Sequence, residues 1–131
     1  MPNQGEATIR DNAALTSSYV ASDKISVRTA KYVDFVLYTD DDGNINELDA
    51  QIQYSIVADP DEDTDTDWVT LKNESVTNGV VTQYDKTWTW TSLADGNYPI
   101  RVDAMGDWMR VKVKANAAGG SCEIGARTRK V

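Results

Sequence analysis

The chain has 131 residues, 40% of them apolar and 26% charged, with a formal net charge of −8, one cysteine and no histidine. This is one domain with enough apolar material for a core, and its apolar runs are too short to span a membrane. The missing histidine removes the commonest general base, the commonest metal ligand and every Ser-His or Cys-His nucleophile, so the chain reads as a non-enzymatic binding or structural domain.

The charge is uneven. Residues 1–39 balance, residues 40–67 hold eleven acids and no Lys or Arg, and residues 101–131 sum to +4. An acidic domain is a poor ligand for nucleic acid, because phosphate binding depends on Lys and Arg. The acidic runs read as solvated loops. The alternative is that one end of the sequence attracts the other end of a neighbouring copy. The single cysteine fits a reducing compartment, and Met1–Glu6 lacks the basic-then-apolar pattern of a secretory signal.

In chain order, residues 1–17 carry only Ile9 and Leu15 as large aliphatics. They read as an extended N-terminal arm before a domain over 18–131. Period-two alternation then predicts strands. Over 32–39, Val33, Phe35 and Leu37 face inward. Over 48–57, Ala50, Ile52, Tyr54 and Ile56 face opposite Gln51, Gln53 and Ser55. Residues 68–71, 76–83 and 84–92 follow, with Trp88 and Trp90 opposite Thr87, Thr89 and Thr91. Then come 98–102, 108–115 with Arg110, Lys112 and Lys114 outward, and 121–129 with Cys122, Ile124 and Ala126 opposite Glu123, Arg127 and Arg129. Asp42-Gly43-Asn44, Asn78-Gly79, Asp95-Gly96-Asn97 and Gly119-Gly120 are turn signals. The pattern predicts an all-β fold: a two-sheet antiparallel β-sandwich, jelly-roll-like, with about eight strands.

Three groups of residues invite a functional reading. The run Asp59–Asp67 has the carboxylates calcium prefers, yet calcium also needs carbonyls and a curved backbone. Asp40–Ile45 fails the calcium-loop pattern, because Tyr38 falls where a carboxylate belongs. Trp88 and Trp90 suit either a sugar platform or the core, and the threonine face opposite favours the core. Cys122, on an apolar face, reads as a small core residue. No cofactor is expected. The candidate partner-binding residues are the acids Asp61, Asp63 and Asp65 and the outward bases Arg110, Lys112 and Lys114.

The order of Lys31–Tyr38, an acidic turn, Leu48–Ile56, Asp67–Leu71, Tyr98–Asp103 and Trp108–Ala115 resembles small β-sandwich virion proteins encoded among the head genes of tailed bacteriophages. The resemblance covers about residues 18–129 and lies in strand order and turn placement. It implies a capsid decoration (cement) protein or another minor head component, assembled into the virion in the host cytoplasm. Its partners would be the major capsid protein, other virion proteins and further copies of itself, often as trimers, with no nucleic acid and no membrane. No family binding residue maps onto a position here. The alternatives are a carbohydrate-binding or host-adhesion module, or a neck or tail component.

Overall fold

The computed structural model describes residues 6–40, 47–91 and 95–130. The described residues form β1 (Ala7–Leu15), β2 (Val20–Ala21), β3 (Ile25–Ser26), β4 (Tyr32–Asp40), β5 (Glu47–Ser55), β6 (Val69–Thr70), β7 (Lys72–Thr77), β8 (Val80–Asp85), β9 (Trp88–Thr91), β10 (Gly96–Asp103), β11 (Trp108–Ala115) and β12 (Gly119–Arg129). Their only helical element is the 3-10 turn Asp65–Asp67. The turn expected at Asp42-Gly43-Asn44 and most of the Asp40–Ile45 stretch lie outside the described residues.

Every ladder is antiparallel. One sheet runs β1-β12-β4-β10. In the second, β11 pairs β5, β2 and β3 line the free edge of β11, and β6 and β9 line the far edge of β5. The inner faces share one buried cluster. Val33, Phe35, Leu37, Cys122, Ile124 and Ala126 come from the first sheet. Leu48, Ala50, Ile52, Met109, Val111 and Val113 come from the second. These are the alternate positions expected from the sequence, and each large side chain contributes roughly 1.5–3 kcal/mol on full burial. The arrangement is sandwich-like. The alternation of β5 fails at its end: Ile56 is 79% exposed, whereas Gln53 and Ser55 are buried. The chain leaves the strand after Ser55, so Ile56 loses its sheet neighbours.

Residues 6–17 are not an arm. β1 pairs with β12 from Ala7↔Ala126 to Leu15↔Gly119, and Ile9 and Leu15 enter the core. The signal was weak because the register slips three times along β1, and Asp11 and Ala13, which share the parity of Ile9 and Leu15, stay exposed. The Arg10 guanidinium staples the irregular stretch. It donates to the carbonyls of Cys122 (3.1 Å), Ala13 (3.2 Å) and Ala14 (3.1 Å), which the distorted ladder would otherwise leave to solvent.

β6 and β9 form one interrupted edge of β5. Thr70 pairs with Gln53, the Leu71 N–H donates to the Ile52 carbonyl, and Trp88 resumes opposite Ala50. Between them the hairpin β7–β8 is looped out. Asn78 (φ 50°) and Gly79 (φ 78°) make its tight turn, since two successive positive φ angles match the twist of a two-residue hairpin. That turn signal overrides the strand expected over 76–83.

Because Leu15 is 2% exposed, replacing it with Ala should lower the unfolding free energy by about 2–5 kcal/mol, read by urea denaturation. Deleting residues 1–17 should likewise depress the melting temperature, where a true arm would leave it unchanged.

Candidate functional site

The acidic loop between β5 and β6 folds over the outer face of the second sheet. Five side-chain donors hold its backbone carbonyls. Arg28 (3.0 Å) and Trp108 (3.1 Å) donate to Ala58, Lys24 (2.8 Å) to Pro60, Trp68 (3.0 Å) to Asp61 and Arg110 (2.7 Å) to Glu62. Within the loop, the Asp61 N–H donates to the Asp67 carboxylate (2.9 Å) and the Asp63 N–H to that of Asp61 (2.8 Å).

The expected outward triad is therefore split. Arg110 does leave the core face of β11, but it is 2% exposed, sealed under the loop. Its Nε donates to Gln53 Oε1 at 2.8 Å and its guanidinium lies 4.2 Å from the Trp68 ring centroid. Burial lowers its pKa, while Asp65, Glu62 and Asp63 oppose the shift. Lys112 and Lys114 are half-buried over the Tyr19 ring at 5.3 and 4.9 Å. Asp63, Asp65, Arg110 and Lys112 line one groove, and Asp61 and Asp63 line its neighbour. Arg110 and Lys112 thus meet Asp63 and Asp65 within a single chain. Asp61, Asp63 and Asp65 remain exposed. Within this run the carbonyls of Pro60, Asp61 and Glu62 accept side-chain donors of the protein.

A second constellation covers the outer face of the first sheet. β12 and β10 flank β4, so Arg127 sits opposite Asp34 on one side and Arg101 on the other. Asp34 accepts from Arg101 Nε (2.6 Å) and Nη2 (3.0 Å), and also from Arg129 Nε. The Arg101 hydrogen bonds, with help from Arg129, hold the Asp34 carboxyl down to about 2. Arg127 is exposed and has neither hydrogen bond nor ion pair among the described residues. At the far end the Tyr38 hydroxyl donates to the Glu6 carboxylate (2.9 and 3.1 Å), and burial followed by this bond raises its pKa. Gly125 makes room for this contact, since a Cβ there would collide with the Glu6 carboxylate. The face encloses a groove of about 580 Å³ with Val36 and Pro99 in its lining. The alternation of 121–129 already placed Arg127 and Arg129 outward. Their meeting with Asp34 and Arg101 depends on the lateral order β12-β4-β10, which carries no local signal.

Trp88 and Trp90 lie opposite Ala50 and Leu48, on the inner face as expected. They are half-buried because β9 is an edge strand. Trp90 packs on Tyr98 at 5.2 Å, and Lys86 caps Trp88 at 4.8 Å. Cys122 is buried, and burial pushes its thiol up to about 12, which makes it an inert core residue. Among the described residues no cluster of Cys, Asp and Glu has the geometry to hold a metal ion. No protein-family model matches this chain, and no curated protein is similar to it in sequence.

Replacing Arg110 with Ala leaves Gln53 Oε1 and the Glu62 carbonyl without their donor, at about 1–3 kcal/mol for each group left unsatisfied. The expected result is a lower melting temperature with faster amide exchange over 59–68. Asp34 gives a pH signature. Its folded pKa is depressed, so its stabilising contribution is complete above about pH 4 and is lost as pH falls toward about 2. Replacing Asp34 with Asn should flatten the melting temperature against pH across that window.

Proposed function

We propose that this chain is a non-enzymatic virion structural protein that attaches to the assembled shell of a tailed bacteriophage as a decoration protein, with a jelly-roll fold. The projecting hairpin β7–β8 carries the reading. It pairs with neither main sheet, and Val76, Val80, Val81 and Tyr84 on it are 67%, 63%, 58% and 52% exposed. A two-stranded hairpin is marginal in water by itself. This one is held by its tight turn, the Lys72–Asp85 ion pair and a Gln83–Glu74 hydrogen bond (2.9 Å). Its apolar pair, Val76 opposite Val81, is available to a partner surface.

The strand order supports the jelly-roll part. With β2 and β3 counted as one strand and β6 and β9 as another, the eight strands cross between the sheets at every step except from β5 to β6–β9, the order expected of two interlocked Greek keys. That architecture serves viral capsid and lectin domains. Two features favour attachment over the rival readings. Trp88 and Trp90 turn toward the core, away from the position of a sugar platform. Asp34 is ionised and saturated by two guanidiniums, which suits it to fixing arginines more than to moving protons. Attachment to the assembled shell alone would stabilise that shell by linkage.

The test is occupancy on purified particles by sedimentation and image reconstruction, comparing the natural chain with a Val76→Asp, Val81→Asp variant. The variant should keep its melting temperature within a few degrees, because both sites are exposed, and bind at least tenfold more weakly. A natural chain that fails to sediment with assembled shells, or a variant with undiminished occupancy, overturns the reading.

A further inference from the structure

We propose that copies of this chain associate head to tail, with the acidic loop Asp59–Asp67 of one copy seated in the arginine groove of the next. The acceptor is the outer face of the β1-β12-β4-β10 sheet. Asp34 holds Arg101 and Arg129 in fixed orientations, and Arg127, opposite Asp34 on β12, stands on the same face without a partner among the described residues. A planar guanidinium with unspent donors takes a carboxylate in two parallel hydrogen bonds, and Arg101 and Arg129 also retain donors. Val36 and Pro99 give the groove apolar lining for the backbone of an incoming loop.

The donor is equally well prepared. The loop's carbonyls at Ala58, Pro60, Asp61 and Glu62 are held by side-chain donors of the same chain. Asp61, Asp63 and Asp65 are exposed and form no ion pair among the described residues. Lys112 already lines a groove with Asp63 and Asp65 in the same chain, so it is not the base left for a neighbour. The loop covers the outer face of one sheet and the arginines lie on the outer face of the other, with the core between them. They cannot meet within one molecule. Two unlike surfaces on opposite sides define a heterologous contact, which closes into a ring or continues as a chain. At a net charge of −8 two copies repel on average, and this orientation is the one that sets residues of opposite sign together. The contact is solvated, so it should be weak and sensitive to salt.

The isolated protein suffices for the test, which keeps it separate from shell attachment. Sedimentation velocity across a concentration series should show self-association that weakens at least tenfold between low and high salt. An Arg127→Glu variant loses its acceptor and keeps its loop. An Asp63→Lys, Asp65→Lys variant loses its loop and keeps its acceptor. Each should be monomeric where the natural chain associates, and an equimolar mixture should regain a complex of one copy of each. Should the lysine pair disturb folding, Asp63→Asn with Asp65→Asn retains the loop's own hydrogen bonds to Asp61 and Asp67 and should still weaken association severalfold. A natural chain that stays monomeric throughout, association indifferent to both variants, or a mixture that fails to form the complex overturns the proposal.

Discussion

The buried guanidinium of Arg110 is the constraint around which the second sheet is organised. A charged group that is 2% exposed is tolerable only when its donors are matched and its face is covered. Gln53, the Glu62 carbonyl and the Trp68 ring do this together, and they come from β5, the loop and the residue just before β6. Matching them pulls the most acidic segment of the chain down onto the sheet. Lys24, Arg28, Trp68 and Trp108 then fix the carbonyls of Ala58, Pro60 and Asp61. With the backbone pinned inward, Asp61, Asp63 and Asp65 are left on the solvent side. The loop is thus a presenting surface of defined shape, where electrostatic repulsion alone would have produced a loose excursion.

The two sheets handle their polar outer faces differently. The second is roofed by the loop, and its buried bases are matched within the chain. The first is open, and its order comes from Asp34 drawing together arginines from the strands on either side of β4. Edges are treated with similar economy. β1 bulges and is stapled by Arg10, Pro99 sits in the edge strand β10, and the β6–β9 edge is broken by the looped-out hairpin. Each device interrupts the regular row of N–H and C=O groups that would otherwise template unwanted pairing. The hairpin is the exception in composition, because it carries exposed valines where an edge usually carries charge. This is why it, more than any cavity, supports the proposed attachment.

The alternation of Val33, Phe35 and Leu37, of Met109, Val111 and Val113, and of Cys122, Ile124 and Ala126 was legible in the sequence. A strand's two faces differ by one residue, so burial on one face writes itself into the local order of side chains. Asn78-Gly79 was legible for a similar reason: its backbone angles are a local property of those two residues. β1 was not, since its bulges remove the alternation and only the pairing with β12 brings Ile9 and Leu15 inside. Parity correctly sent Arg110 outward from the core. Whether outward meant solvent depended on a loop that begins only after Ser55. Likewise Trp88 and Trp90 chose the inner face by parity, while their half-burial follows from β9 lying at an edge. The period of the backbone is therefore inscribed in the sequence by itself. The order of strands across a sheet and the covering of its outer faces arise from contacts between residues dozens of positions apart, and only the tertiary structure decides them.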